Sequence, residues 1–224
     1  MRILSAAAVI IAALLFLKGE SMADEAQRII KLPEPAVKGR VSVEDAMRKR
    51  RSRREFALAP LKLSEIAQLL WAAQGVSDPR GLRSAPSAGA LYPLELYIVA
   101  ENVDGLEAGV YHYRSEEHTL ERVIKGKRRN RLYLAALAQE CVKEAPAAVV
   151  ITAVYERVTG KYGKRGVRYV HMEAGHAAQN FYLQAESLGL ATVVVGAFSD
   201  RGVQKAIGAA KEEEPLCIMP VGRR

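Results

Sequence analysis

The stretch AAVVITAVY, Ala147 to Tyr155, carries no charge and almost no polar group. A strand with no polar face is buried on both sides, so this run calls for a layered fold with a sheet in its middle. Gly109 to Tyr113 and Thr119 to Ile124 read as a hairpin around RSEEH, which excludes a purely parallel sheet. Leu94 to Ala100, Ala191 to Val195 and Leu216 to Val221 supply further strands. Helices are expected from Val43 to Arg50, and from a Ser64 cap through Ile66, Leu69, Leu70 and Ala73 to Gly75. Two more run from about Asn130 to Lys143, before Pro146, and after a cap at Asp200. The longest helix lies in RYVHMEAGHAAQNFYLQAESLGL: Val170, Ala174, Ala178, Phe181, Ala185 and Leu188 share one face, and Gly189 caps its end. Strands and helices mix without strict alternation, the pattern of an α+β sandwich.

The chain is 224 residues long, enough for one full core. Arg2 precedes an apolar run from Ile3 to Leu17, too short to span a bilayer comfortably and suited to a signal-peptide core. Cleavage after Ala23, behind the small residues Ser21 and Ala23, is the first expectation. An uncleaved anchor through residues 3–17 is the alternative. Both place the protein outside the cytoplasm or on its membrane. Residues 24–42 read as an extended arm and residues 43–224 as the folded domain. Cys141 and Cys217, the two cysteines, fall in a helix and a strand and read as apolar-environment thiols.

Two stretches carry the candidate chemistry. In LRSAPSAGALYPLELYIVA, residues 82–100, Pro86, Ser87, Ala88 and Gly89 place almost no side chain before a strand. That is either a plain turn or a backbone cradle for something flat. In RKRRSRREF, residues 48–56, a serine stands among arginines, a good fit for one phosphate or else a solvated helix end. The formal charge of +8 suits an anionic ligand, but an exported protein rarely meets nucleic acid, and that partner is not expected. His171 and His176 are five apart and point about 140° from each other on a helix, so they do not clamp a metal, and none is expected. No nucleophile elbow, P-loop or dinucleotide fingerprint occurs. An enzyme with such a sequence leaves its hard chemistry to a cofactor.

In their order, RRSRREF (50–56), LLWAAQG (69–75), RSAPSAGALYPLELYIVA (83–100), GVYHY (109–113), YGKRGVRYVHMEAGHAAQNFYLQAESLGL (162–190) and VVVGAF (193–198) resemble the FMN-dependent nitroreductase superfamily. The resemblance is to its SagB/ThcOx-type dehydrogenase branch. It implies a mixed, mainly antiparallel central sheet flanked by helices, in an intertwined homodimer with flavins at the interface. It implies that Arg50, Ser52 and Arg54 hold the FMN phosphate and ribityl chain; where many members carry a tail with further phosphate contacts, this sequence has Arg223 and Arg224, and Arg224 is the candidate for that role. Pro86, Ser87, Ala88 and Gly89 would lie along the flavin, and Val195 and Gly196 would present backbone near its reactive nitrogen. The small face Ala174, Gly175 and Ala178 would meet the second copy.

Azoline oxidases of this branch use a Lys-Tyr pair near the start of the long helix. Here Arg168-Tyr169 stands in that place, and an arginine is a poor base. Tyr169 is the candidate proton carrier. The resemblance implies an oxidoreductase moving hydride from a reduced donor, NAD(P)H, to an electron-poor small acceptor such as a nitroaromatic or quinone. The alternatives are a dehydrogenase that oxidises a peptide or small molecule with oxygen or a quinone as acceptor, and a flavin-binding protein without turnover.

Overall fold

A computed structural model describes residues 28–224. The expected signal segment or anchor, residues 1–23, lies outside the described residues. Seven strands form one sheet in the order β1 (Ile29–Lys31), β6 (Thr119–Lys125), β5 (Gly109–Arg114), β3 (Leu94–Ala100), β7 (Ala147–Val154), β9 (Glu213–Arg223) and β8 (Leu190–Thr192). Every neighbouring pair is antiparallel. A two-stranded parallel ribbon joins β2 (Leu61–Lys62) to β4 (Val103–Asp104).

The apolar run that calls for a central strand is β7. Its alternation sorts the two cores: Ala147, Val149, Ile151 and Ala153 belong to one, Ala148 and Val150 to the other. The first core is covered by α2 (Leu63–Gln74) and α6 (Arg165–Ser187), through Ile66, Leu69, Leu70, Val170, Ala177 and Phe181. The second lies under α3 (Arg129–Ala135), α4 (Glu140–Glu144) and α7 (Asp200–Ile207). The short helices α1 (Val43–Lys49) and α5 (Glu156–Tyr162) complete the described chain. An α+β sandwich results, mainly antiparallel and flanked by helices on both faces.

Several local expectations are corrected. The extended arm contains β1, which pairs with β6. Helix α2 starts at Leu63, not behind a Ser64 cap, because the Glu65 carboxylate takes the Lys62 amide at 2.8 Å. Likewise Ser199, not Asp200, caps α7: its hydroxyl accepts the Gly202 amide. The helix expected over 130–143 is two, α3 and α4, separated where Leu137 and Ala138 adopt φ of 56° and 55°. Strand β8 ends at Thr192, and Val195 meets the sheet by an isolated bridge to Ile218.

Candidate functional site

Helix α1 is set by local chemistry: the Ser42 hydroxyl accepts the Asp45 amide, Glu44 and Asp45 sit in the first turn, and Arg48 and Lys49 in the last. It delivers residues 50–56 in an extended path along the sheet edge. There the Arg53 amide donates to the Thr192 carbonyl at 2.9 Å, and the Ala57 amide to the Arg223 carbonyl. The Ser52 hydroxyl lies 3.0 Å from the Tyr182 hydroxyl. The same phenolic oxygen accepts the Val194 amide at 2.8 Å, and the Arg50 guanidinium lies over the Tyr182 ring, 5.1 Å from its centre. Tyr182 therefore clips the basic segment to the loop after β8.

Around that clip the charges are unbalanced. Arg51 donates to the carbonyls of Arg48 and Arg50. Neither Arg50 nor Arg54 has a carboxylate partner among the described residues. Burial pushes the Cys141 thiol up, while the nearby Arg54 charge pulls it down. In the following loop, the Val195 amide and carbonyl are both taken by Ile218. Its neighbour Gly196 is exposed, and an added Cβ there would meet nothing within 4 Å. Of the expected pair, Gly196 is thus the one whose backbone is open to a ligand. Two guanidinium groups without counter-charge, one hydroxyl and bare backbone suit an anionic, flat ligand such as FMN.

The small-residue segment is not a plain turn. Ala88–Ala90 forms a single 3-10 turn, with left-handed backbone at Gly89 (φ 65°), Ala90 (φ 52°) and Tyr92 (φ 44°). The Ser87 hydroxyl accepts the Tyr92 amide at 2.9 Å, Arg157 donates to the Tyr92 carbonyl, and Arg83 lies over the Tyr92 ring. A methyl on Gly89 would lie 2.8 Å from the Tyr162 hydroxyl oxygen and 3.1 Å from Lys161 Nζ. The bare backbone thus admits these two side chains. Beside the segment opens a cavity of about 780 Å³, whose lining includes Arg83, Leu91, Tyr92, Tyr113 and Arg157.

The two clusters lie on opposite sides of α6. Asn180 donates to the Ser84 carbonyl, while Tyr182, two residues on, serves Ser52. Two residues turn a helix by about 200°. Pro86 to Gly89 and Arg50 to Arg54 therefore flank the same helix from different faces in one chain. Arg224 joins the second cluster, but it is already engaged: it pairs with the Glu186 carboxylate and donates to the Leu190 carbonyl.

Comparison with known proteins gives this geometry a setting. The nitroreductase family model matches residues 47–223. The chain belongs to the nitroreductase family. A protein of Methanocaldococcus jannaschii named as a nitroreductase is 50% identical over 184 residues, 82% of this chain and 92% of the relative. The microcin B17-processing protein McbC of Escherichia coli is 34% identical over 66% of this chain, which spans 56% of McbC. This bears out the resemblance to the SagB/ThcOx-type branch. A crystal structure named as a nitroreductase from Ralstonia eutropha superposes with a TM-score of 0.74 at 31% identity, over 88% of this chain and 89% of that one.

As a nitroreductase-family oxidoreductase, the chain shows one pair that sequence reasoning missed. Tyr169, the expected proton carrier, is half-buried and meets the Tyr162 ring edge-on at 5.2 Å. It stands one ring behind the residues that reach Gly89, which are Lys161 and Tyr162 at the end of α5. Arg168 is exposed on α6. Lys161 and Tyr162, just before the long helix, are thus a further candidate pair beside Arg168-Tyr169. Of the small face expected to meet a second copy, Gly175 is exposed, but Ala178 is buried in the chain's own core.

Proposed function

We propose that this member of the nitroreductase family is an FMN-dependent homodimeric oxidoreductase that passes hydride from NAD(P)H to a small electron-poor acceptor. The supporting observation is the clip: Tyr182 joins Ser52, the loop carrying Gly196 and Arg50, which has no carboxylate partner among the described residues. Arg50 and Arg54 would neutralise the cofactor's phosphate, and Ser52 would hydrogen-bond its oxygens. FMN, when bound, supplies the hydride-carrying chemistry. The Gly196 amide would donate toward charge that builds on the ring during reduction.

The placement of the clusters supports the dimer. Since 50–54 and 86–89 flank α6 from opposite faces, a second copy supplies the means to bring one chain's small-residue segment to the other chain's arginines. Met172 and Gly175, three apart on the exposed face of α6, mark the surface available for that contact. The proposal is tested by mixing the FMN-loaded protein anaerobically with NADH or NADPH and following loss of the flavin's visible band. Reoxidation by a quinone or nitroaromatic completes the cycle. A flavin that dithionite bleaches but neither nucleotide reduces would rule out NAD(P)H as donor.

A second reading, oxidation of a peptide substrate, is favoured by Lys161 and Tyr162 at Gly89 together with the likeness to McbC. Lysine, unlike arginine, is a residue type that serves as a base in catalysis. Turnover of an azoline-containing peptide, lost in Lys161→Met, would select that reading over reduction of small acceptors.

A further inference from the structure

Behind the small-residue segment lies a buried acid that the reading above does not use. Glu173 sits on the inner side of α6 and is 2% exposed, and neither of its carboxyl oxygens has a hydrogen-bond partner. Beside it stand Ser87 from the 3-10 turn and Gln74 from the end of α2. The Gln74 amide nitrogen is itself buried and unpaired, while its oxygen accepts from Arg83 at 3.1 Å. Arg83 and Gln74 thus stand on one side of the unpaired carboxyl and Ser87, whose hydroxyl holds the Tyr92 amide, beside it. The segment that carries Ser87 is the strained one, left-handed at Gly89, Ala90 and Tyr92.

We propose that Glu173 is the positioning residue of the 86–92 segment: as a neutral carboxyl it keeps the segment closed, and as a carboxylate it opens it. A charge this deeply buried costs more than the nearby Ser87 and Gln74 return, and opening the segment to water relieves it. Burial pushes Glu173 up to about 7, against the opposing pull of Ser87, Arg83 and Gln74. Arg83 is the charged group that acts on it. Gln74 on α2 and Ser87 on the turn do not titrate, and Tyr113 on β5, near Arg83, is held protonated by burial.

The sign follows from linkage. The closed segment keeps its proton up to about 7, whereas the opened one, wet, returns to the ordinary glutamate value of 4.5. Opening is therefore suppressed at acid pH and grows as pH rises between those two values, levelling off above the upper one. The consequence for cofactor affinity rests on the flavin reading of the segment; the opening itself does not.

Amide hydrogen exchange of the full chain without added cofactor, corrected for intrinsic rates, tests the opening. Protection across residues 84–92 should fall by at least about tenfold from mildly acid to mildly alkaline pH, since each unit of displaced pKa is tenfold in the equilibrium. Glu173→Gln, neutral at every pH, should stay protected with no such step. Ser87→Ala, which removes a group favouring the ionised form, should move the step to higher pH. A flat wild-type profile, or an unchanged step in Glu173→Gln, would overturn the proposal. FMN titrations across the same range separate the two claims. An affinity that weakens as pH rises in the wild type and not in Glu173→Gln supports both. No uptake of FMN at any pH overturns the flavin reading and leaves the exchange profile to decide Glu173.

Discussion

Ser52 and Tyr182, 130 residues apart in sequence, share a 3.0 Å contact between their hydroxyls, and the tyrosine oxygen also takes the Val194 amide. One phenol thereby sets the distance between the arginine segment and the loop that bears Gly196. Tyr182→Phe keeps the ring under Arg50 and removes both hydrogen bonds. Stability should fall by about 1–2 kcal/mol, read from the denaturant midpoint. FMN affinity, read by quenching of its fluorescence, should weaken by about tenfold, the equivalent of one strong hydrogen bond.

Gly89→Ala should damage the site more than the fold. Its φ of 65° disfavours a side chain by about 1 kcal/mol, and the added methyl meets Tyr162 and Lys161 at 2.8 and 3.1 Å. Gly126, with φ of 86° and nothing within 4 Å of an added Cβ, is the control. Both alanine variants should lose similar stability in thermal melts, but only Gly89→Ala should lose FMN.

The last strand is anchored by Arg223, whose guanidinium grips both oxygens of Glu65 on α2 at 2.7 and 2.9 Å. The pair is mostly shielded, so salt screens it weakly. Arg223→Ala should cost about 1–3 kcal/mol. In a double-mutant cycle with Glu65→Gln the two losses should not add. Additive losses would show that the pair contributes nothing as a pair.

Glu95 gives the fold an acid-sensitive contact. Burial alone would raise its pKa, but His112 at 2.7 Å and Arg157 at 2.5 Å overcome burial and hold the carboxyl below the usual range. A depressed carboxylate stabilises the fold above its unfolded pKa, and that contribution is lost as pH falls through the folded value. Melting temperatures across the acid range should therefore drop less steeply in Glu95→Gln than in the wild type.

Much of this architecture is legible in the residues. Ala147 to Tyr155 reads as a central strand because both its faces are apolar, and the 109–124 hairpin and the long helix carry their own periodicity. The break between α3 and α4 does not show, because Leu137 and Ala138 take left-handed backbone with no glycine, asparagine or proline to mark it. The site is legible as segments and not as an arrangement. Arginines beside a serine announce an anion, yet nothing local says that Tyr182 joins Ser52 to Val194. Lys161 escapes notice because its meeting with Gly89 is purely tertiary, and the matched segment begins one residue later, at Tyr162. Glu173 looks like any helix carboxylate until its burial is known.

The central claim, that the arginine–serine cluster holds FMN, is tested most directly by the visible absorption spectrum of the purified full chain, with the released chromophore identified by chromatography. The protein should be yellow and release FMN, and a folded Arg50→Ala/Arg54→Ala variant should be colourless and take up no added FMN. A wild-type protein that is colourless and refuses added FMN would contradict it.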